Sequence, residues 1–245
     1  MLSRNFRTQR IGDIDWLQQN YDFSRVASFI DELIILNVSR ASLSHAVFCD
    51  AVKQVSQGCF APISAGGGIR SSEDAERLFN SGADKVVLNR AIYEDPQLIH
   101  DITAKWGRQS TVGSVDARKI GDSFGFFSEG GRTEHMATAV TSILEEKAVG
   151  EIYLTSIEKD GTGQGLDLEL ADFFQSINLA KIPTIIAGGA GKPEHFVTAF
   201  CHQGVGAVAT ANLLNFVGDG LKRARDQISE AGVDLASWEI PTITV

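Results

Sequence analysis

Short apolar runs rich in β-branched residues alternate with amphipathic segments along most of the chain. Such runs, bounded by polar residues and glycines, are typical of buried parallel strands. The predicted strands are Glu32–Ser39, Pro62–Gly68, Lys85–Arg90, Thr111–Ala117, Glu151–Ile157, Pro183–Gly189 and Ala207–Leu213. Helices are predicted between them, for example at Ser71–Ser81 and Pro193–His202. The β-then-α order predicts an α/β fold with a parallel sheet.

One segment departs from this alternation. Ser123–Gly130 carries Phe124, Phe126 and Phe127 and ends at a pair of glycines. A short apolar run that closes on turn residues predicts a small hairpin after the fourth strand.

The two halves of the chain resemble each other at an offset of about 120 residues. Pro62–Gly68 matches Pro183–Gly189, and Lys85–Leu88 matches Ala207–Thr210. Two fused half-barrels of four βα units each form a (β/α)8 TIM barrel. We therefore predict a single TIM-barrel domain over residues 1–245.

The same offset leaves the strand Thr111–Asp116 without a partner in the first half, because the matching positions fall before Met1. The first strand is therefore expected to be missing or replaced. Either the segment Leu2–Arg7 or a neighbouring chain closes the gap, or that side of the barrel stays open.

Three polar residues are expected at the barrel mouth, where the active sites of TIM barrels lie. Asp116 ends a strand, and burial there would raise its pKa towards the range useful for acid–base catalysis. Asp160 follows another strand, and its alternative role is that of a loop cap. Asn89 is placed to hydrogen-bond a substrate.

Two glycine-rich loops follow strands and precede helices, at Gly66–Gly68 and Gly188–Gly191. Backbone N–H groups in such loops can bind phosphate, so the pair predicts a ligand with two phosphates. The alternative is that these glycines serve only the turns.

Charged residues are predicted at the opposite end of the barrel. Lys85, Glu32 and Glu151 occupy early, inward-facing strand positions. They form either a stabilising ion-pair plug or a polar gate to a passage through the barrel.

Composition narrows the function classes. The net charge of −9 argues against a nucleic-acid or anionic-membrane partner. The three cysteines are widely spaced, which favours a reducing cytoplasm, and no metal-binding or cofactor-binding motif is present. We expect a cytoplasmic enzyme with no metal and no cofactor.

Six motifs follow one another along the chain: Asp31-Glu32-Leu33, Gly66-Gly67-Gly68-Ile69-Arg70, Gly82-Ala83-Asp84-Lys85-Val86, Val115-Asp116-Ala117, Leu154-Thr155-Ser156-Ile157-Glu158-Lys159-Asp160-Gly161-Thr162 and Gly188-Gly189-Ala190-Gly191-Lys192-Pro193-Glu194-His195-Phe196. In this order they resemble the cyclase subunit of imidazole glycerol phosphate synthase, from about Phe6 to Phe216. The strings around Asp160 and His195 are the most specific part of the resemblance.

The resemblance implies a lyase-type cyclase of histidine biosynthesis. In that family a glutaminase subunit docks at the barrel floor, and ammonia passes through the barrel to the mouth. There, ammonia and a bisphosphorylated ribulosyl carboxamide nucleotide become imidazole glycerol phosphate and an aminoimidazole carboxamide ribotide.

The resemblance also implies residue roles. Asp116 matches a catalytic acid/base, and Asp84 lies where the family meets its glutaminase. Lys85, Glu32 and Glu151 match the ammonia gate. The residues implied to bind substrate and phosphate are Gly67, Gly68, Asn89, Thr155, Asp160, Gly161, Gly188, Gly189 and Asn212.

The chain departs from the family pattern at several positions. The family's other catalytic Asp lies on the first strand, Ala187 and Asn212 replace serines near the second phosphate, and Tyr153 points inward where an aliphatic residue is usual. Two alternatives stay open: a divergent paralogue that delivers ammonia to another acceptor such as an activated sugar, and a non-catalytic subunit that binds a glutaminase. We expect the chain to bind a bisphosphate better than it turns the ligand over.

Overall fold

A parallel sheet forms the centre of the computed structural model, which describes residues 2–9, 13–20, 26–39, 44–211 and 220–236. In chain order the elements are β1 (Leu2–Arg4), β2 (Arg7–Gln9), α1 (Ile14–Asn20), β3 (Leu33–Leu36), α2 (His45–Ser56), β4 (Ile63–Gly66), α3 (Ser72–Asn80), β5 (Lys85–Leu88), α4 (Arg90–Glu94), α5 (Pro96–Trp106), β6 (Thr111–Ile120), β7 (Ser123–Ser128), β8 (Thr133–His135), α6 (Ala137–Glu145), β9 (Glu151–Ser156), α7 (Leu168–Ile177), β10 (Thr184–Ala187), α8 (Pro193–Phe200), β11 (Ala207–Val208) and α9 (Gly220–Glu230).

The strand order confirms the α/β prediction. Seven strands run parallel in the order β3-β4-β5-β6-β9-β10-β11, and each corresponds to a predicted strand. Most observed strands are shorter than predicted at their carboxyl ends, because those ends leave the ladder to form the loops of the mouth. Gly67, directly after β4, has a φ of +98° and turns the chain out of the sheet.

The floor contacts show that the sheet is curled. Glu32, directly before β3, and Glu151, the first residue of β9, lie four strands apart in the sheet order. In a flat sheet this separation would be about 19 Å. Both carboxylates nevertheless accept hydrogen bonds from the Lys85 ammonium group, at 2.7 and 2.8 Å. The sheet therefore has the curvature of a barrel wall.

The described parallel sheet has two edges, at β3 and β11. Of the alternatives for the gap between them, closure by Leu2–Arg7 is wrong. Asn5 and Phe6 take positive φ values of 50° and 60°, so the chain folds back, and β1 pairs with β2 in a separate two-stranded sheet. Leu213, the end of the last predicted strand, lies outside the described residues.

The predicted hairpin after the fourth strand is confirmed and is larger than expected. β6 runs on beyond the parallel sheet to Ile120 and pairs with β7, which in turn pairs with β8. Phe124 and Phe126 of β7 pack against Phe173 and Phe174 of α7, with ring centroids 5.3 Å and 6.5 Å apart. These contacts explain why the aromatic residues lie on this segment.

The helices cover the outside of the sheet with apolar faces. Leu78 of α3 is fully buried, and Ser71 caps this helix by accepting a hydrogen bond from the backbone N–H of Asp74. None of the described helices is long and apolar enough to cross a lipid bilayer.

Phe126 provides a test of this packing. Phe126→Ala should lower the free energy of unfolding by about 3–5 kcal/mol, because it leaves a cavity beside the α7 aromatics. Phe60→Ala is the control, since the Phe60 side chain is 88% exposed and its loss should change stability by less than about 0.5 kcal/mol. Denaturant unfolding measures both variants, and equal effects would contradict this packing.

Candidate active site

Asp116 and Asn89 meet at the carboxyl end of the sheet, as predicted. Asp116 lies on β6 beside Thr155 of β9, its register partner. Asn89 directly follows β5, and its Nδ2 donates to the Ser114 carbonyl at 2.9 Å and to Asp116 Oδ2 at 3.2 Å. The first bond holds the amide in place so that the second orients the Asp116 carboxylate. Oγ1 of Thr155 is buried.

The Asp116 carboxyl has a pKa close to neutral pH. Burial is the main reason that its pKa rises to about 7, and the negative charge of Asp160 raises the pKa further. The hydrogen bond from Asn89 opposes this rise by stabilising the ionised form. Both protonation states of Asp116 are therefore populated near pH 7, which suits a group that accepts and returns a proton.

Asp160 holds the N-terminal hairpin over the mouth. Its carboxylate accepts hydrogen bonds from the Ser3 hydroxyl and from the Phe6 backbone N–H, the second at 3.0 Å. Its carbonyl accepts a third hydrogen bond from the Asn5 N–H at 2.9 Å. A side chain on the next residue, Gly161, would collide with the Ser3 carbonyl. Asp160 and Gly161 thus dock the hairpin, a role that the sequence did not indicate.

The physical reason that glycine is required differs between positions in the two glycine loops. Gly67 and Gly188 have positive φ values, and a Cβ atom would collide with the Asn37 backbone at the first and lie 2.7 Å from the Ser156 carbonyl at the second. Gly189 is similarly crowded by Gly165. Gly68 also has a positive φ, but nothing lies within 4 Å of where its Cβ would be. At this position the backbone faces open space, which leaves room for a ligand.

The charges of the floor form one cluster. Lys85 Nζ donates to Glu32 Oε2 at 2.7 Å and to both Glu151 oxygens at 2.8 and 2.9 Å, and the Ser64 hydroxyl also donates to Glu32. Burial disfavours the Lys85 charge, but the bonds to the two carboxylates outweigh it and raise the pKa of Lys85. We call Lys85, Glu32 and Glu151 the floor trio.

Asp84, the predicted partner contact, is exposed beside the floor trio at the start of β5. It exchanges backbone and side-chain hydrogen bonds with Ile63: its N–H donates to the Ile63 carbonyl at 2.7 Å, and its Oδ2 accepts from the Ile63 N–H at 2.8 Å. Its carboxylate therefore also supports the start of β4.

One cavity of about 970 Å³ extends from the floor to the mouth. Its lining includes Glu32 and Glu151 of the floor trio and, at the mouth, Thr155, Asp160, Gly161, Gly188 and Gly189. Gly67, Gly68, Asn89 and Asp116 are not lining residues. Asn212, the remaining predicted site residue, lies outside the described residues.

Two cavity residues, and one residue near Asp116 that does not line the cavity, were missed by sequence reasoning. Arg4 and Arg7 of the hairpin line the cavity and bring positive charge to it. Tyr93 stacks on His135 with ring centroids 4.0 Å apart, and the Asp116 charge adds to the burial that raises the pKa of Tyr93. The only sequence signal for the hairpin was the Asn5 turn residue.

Within the described ranges, no group of three or more His, Cys, Asp or Glu residues converges as metal ligands.

Comparison with known proteins places this chain in a family. A family model described as "Histidine biosynthesis protein" matches residues 12–218. A protein of Parasynechococcus marenigrum (strain WH8102), provisionally named imidazole glycerol phosphate synthase subunit hisF2, is 47% identical over 99% of this chain and 91% of its own length. This chain belongs to the HisF-type cyclase subunits.

Other relatives of the HisF type agree with this assignment. The imidazole glycerol phosphate synthase subunits HisF of Campylobacter concisus (strain 13826) and Pyrobaculum aerophilum are 39% and 40% identical, each over 84% of this chain and 81% of the relative. The predicted resemblance is therefore confirmed, as is the TIM-barrel class of this HisF-type chain.

The raised pKa of Asp116 predicts a pH-dependent stability. Asp116 keeps its proton longer in the folded than in the unfolded chain, so this group makes wild-type stability fall as the pH rises from about 4 to about 7. Asp116→Asn removes that loss. The stability of the variant relative to wild type should therefore increase across this interval and stay constant above it, as measured by urea unfolding. Asp122→Asn, at an exposed site, is the control, and a flat difference for Asp116→Asn would contradict the assignment.

Proposed function

We propose that this chain catalyses the cyclase reaction of imidazole glycerol phosphate synthase. In this reaction, ammonia from a glutaminase subunit and a bisphosphorylated ribulosyl carboxamide nucleotide give imidazole glycerol phosphate and an aminoimidazole carboxamide ribotide. The observation that carries the proposal is the cavity that is lined by the floor trio carboxylates at one end and by Thr155, Asp160 and Gly188 at the other. It is a path of the kind that a small neutral molecule needs.

The chemistry at the mouth fits this reaction. Asp116 is the acid/base group, because its pKa near 7 lets it take a proton during ring closure and return it. Asn89 fixes the carboxylate, and we propose that its amide contacts the substrate as well. The family reaction needs proton transfers of this kind.

Phosphate binding is proposed at both glycine loops. Gly161, Gly188 and Gly189 line the cavity together with Arg4 and Arg7, so one phosphate meets backbone N–H groups and two cationic side chains. The other phosphate lies at Gly67 and Gly68, where the open space beside Gly68 admits it. Two sites at separate strand ends suit a ligand with a phosphate at each end.

The floor is the proposed entry for ammonia. The relatives' names call each of them a subunit, which supports a multi-chain enzyme. A glutaminase docked beside Asp84 would release ammonia next to the floor trio. Movement of the Lys85 side chain away from Glu32 or Glu151 would then open the route to the cavity.

Asp116→Asn tests the catalytic assignment. The variant should lower ammonia-dependent formation of imidazole glycerol phosphate by about 100-fold, because a general acid–base group is lost while the shape of the site is kept. Asp122→Asn, on the exposed β6–β7 turn, should keep wild-type turnover. A wild-type rate for Asp116→Asn would rule out this role. Binding without turnover in the unmodified chain would favour the non-catalytic glutaminase-binding alternative.

Lys85→Ala tests the gate. With a glutaminase subunit present, we expect glutamine-dependent turnover to change at least about fivefold more than ammonia-dependent turnover, because only the first uses the floor route. Lys119→Ala, which removes an exposed lysine bonded to Glu169, is the control. Equal changes in both activities, with folding intact, would favour the ion-pair plug.

A further inference from the structure

Tyr153 points into the barrel between the floor and the mouth. Tyr153 lies between Glu151 and Thr155 among the residues that alternate on one face of β9. All three residues line the cavity. Its register neighbours are Ser114 on β6 and Ile185 on β10. Residues side by side on adjacent strands share one face of a sheet, so these three positions form one interior layer directly below Asp116 and Thr155.

The Tyr153 hydroxyl lies close to the carboxylates of the mouth. Burial is the main reason that the pKa of Tyr153 rises to about 12, and the negative charges of Asp116 and Asp160 add to the rise, while the neighbouring Thr155 hydroxyl opposes it. The phenol therefore stays protonated at neutral pH. It gives the cavity a neutral hydrogen-bond donor on the floor side of the mouth.

The surrounding groups determine which part of a ligand this donor can meet. Asp116 and Asp160 repel anionic groups, and the glycine loops Gly66–Gly68 and Gly188–Gly191 follow other strands, β4 and β10. The buried Thr155 Oγ1 lies next to the tyrosine. Two neighbouring hydroxyls, one level with Asp116 and one a layer below it, suit an uncharged, oxygen-rich segment of a ligand.

We infer that Tyr153 is a positioning residue that donates a hydrogen bond to the uncharged segment between the two ends of the bound ligand. This inference rests on the proposed function and extends it, because it gives a role to a side chain that the proposed mechanism does not use. The ring sets the depth to which the ligand enters, and the hydroxyl fixes its register relative to Asp116.

Tyr153→Phe tests the inference, since it removes the hydroxyl and keeps the ring. Calorimetric titration with imidazole glycerol phosphate should show binding about tenfold weaker than wild type, the value of one neutral hydrogen bond. Binding of inorganic phosphate should be unchanged, because the phosphate loops are not altered. In ammonia-dependent turnover, KM should rise about tenfold with little change in kcat.

Two further variants separate the effect of the Tyr153 hydroxyl on binding from the effect of the ring and from the loss of another hydroxyl near Asp116. Tyr93→Phe removes a hydroxyl that also lies near Asp116 but does not line the cavity, and it should bind imidazole glycerol phosphate as wild type does. Tyr153→Leu removes both ring and hydroxyl and should weaken binding at least as much as Tyr153→Phe does.

The outcomes distinguish this inference from the proposed function. Equal losses in Tyr93→Phe and Tyr153→Phe, or a loss in Tyr153→Leu alone, would overturn the role of the hydroxyl while leaving the cyclase assignment in place. A wild-type chain that neither binds imidazole glycerol phosphate nor forms it would overturn both.

Discussion

The contact between Lys85 and two carboxylates is the constraint on which the barrel interior depends. Three charges withdrawn from water are costly unless each finds a partner, and here Glu32, Glu151 and Lys85 satisfy one another. Since Glu32 and Glu151 belong to strands that are far apart in the sheet order, the contact forms only when the sheet is curled. The curvature in turn encloses the cavity that leads to the mouth.

The alternation of side chains along each strand places inward-facing residues at successive levels between the floor and the mouth. On β9, Glu151 belongs to the floor, Tyr153 to the middle layer and Thr155 to the mouth. A one-residue shift in register would turn all three outwards. The buried runs of β6 and β10 on either side fix that register. The floor, middle and mouth positions of these β9 residues therefore follow from the register of β9 with β6 and β10.

The mouth combines burial with charge in a way that disfavours the ionised form of Asp116. Asp116 is held near a second carboxylate, Asp160, and both effects work against its ionised form. Ionising Asp116 therefore costs free energy in the folded chain, and the hydrogen bond from Asn89 offsets part of this cost. The Asp160 carboxylate also holds the N-terminal hairpin through two hydrogen bonds. The residue that helps to raise the pKa of Asp116 is therefore the one that positions the hairpin over the mouth.

The sequence by itself determined the strand and helix order, the half-barrel repeat, and the polar residues at both ends of the strands, because each depends on local periodicity or on a residue's position along its own strand. It could not predict that Leu2–Arg7 folds as a hairpin rather than an edge strand, or that Ser3 would meet Asp160, 157 residues away. It also could not show that glycine is required by crowding at Gly67 but only by backbone conformation at Gly68. Tertiary structure decided these points, because contacts between distant segments depend on the curvature of the whole sheet, which no local pattern records.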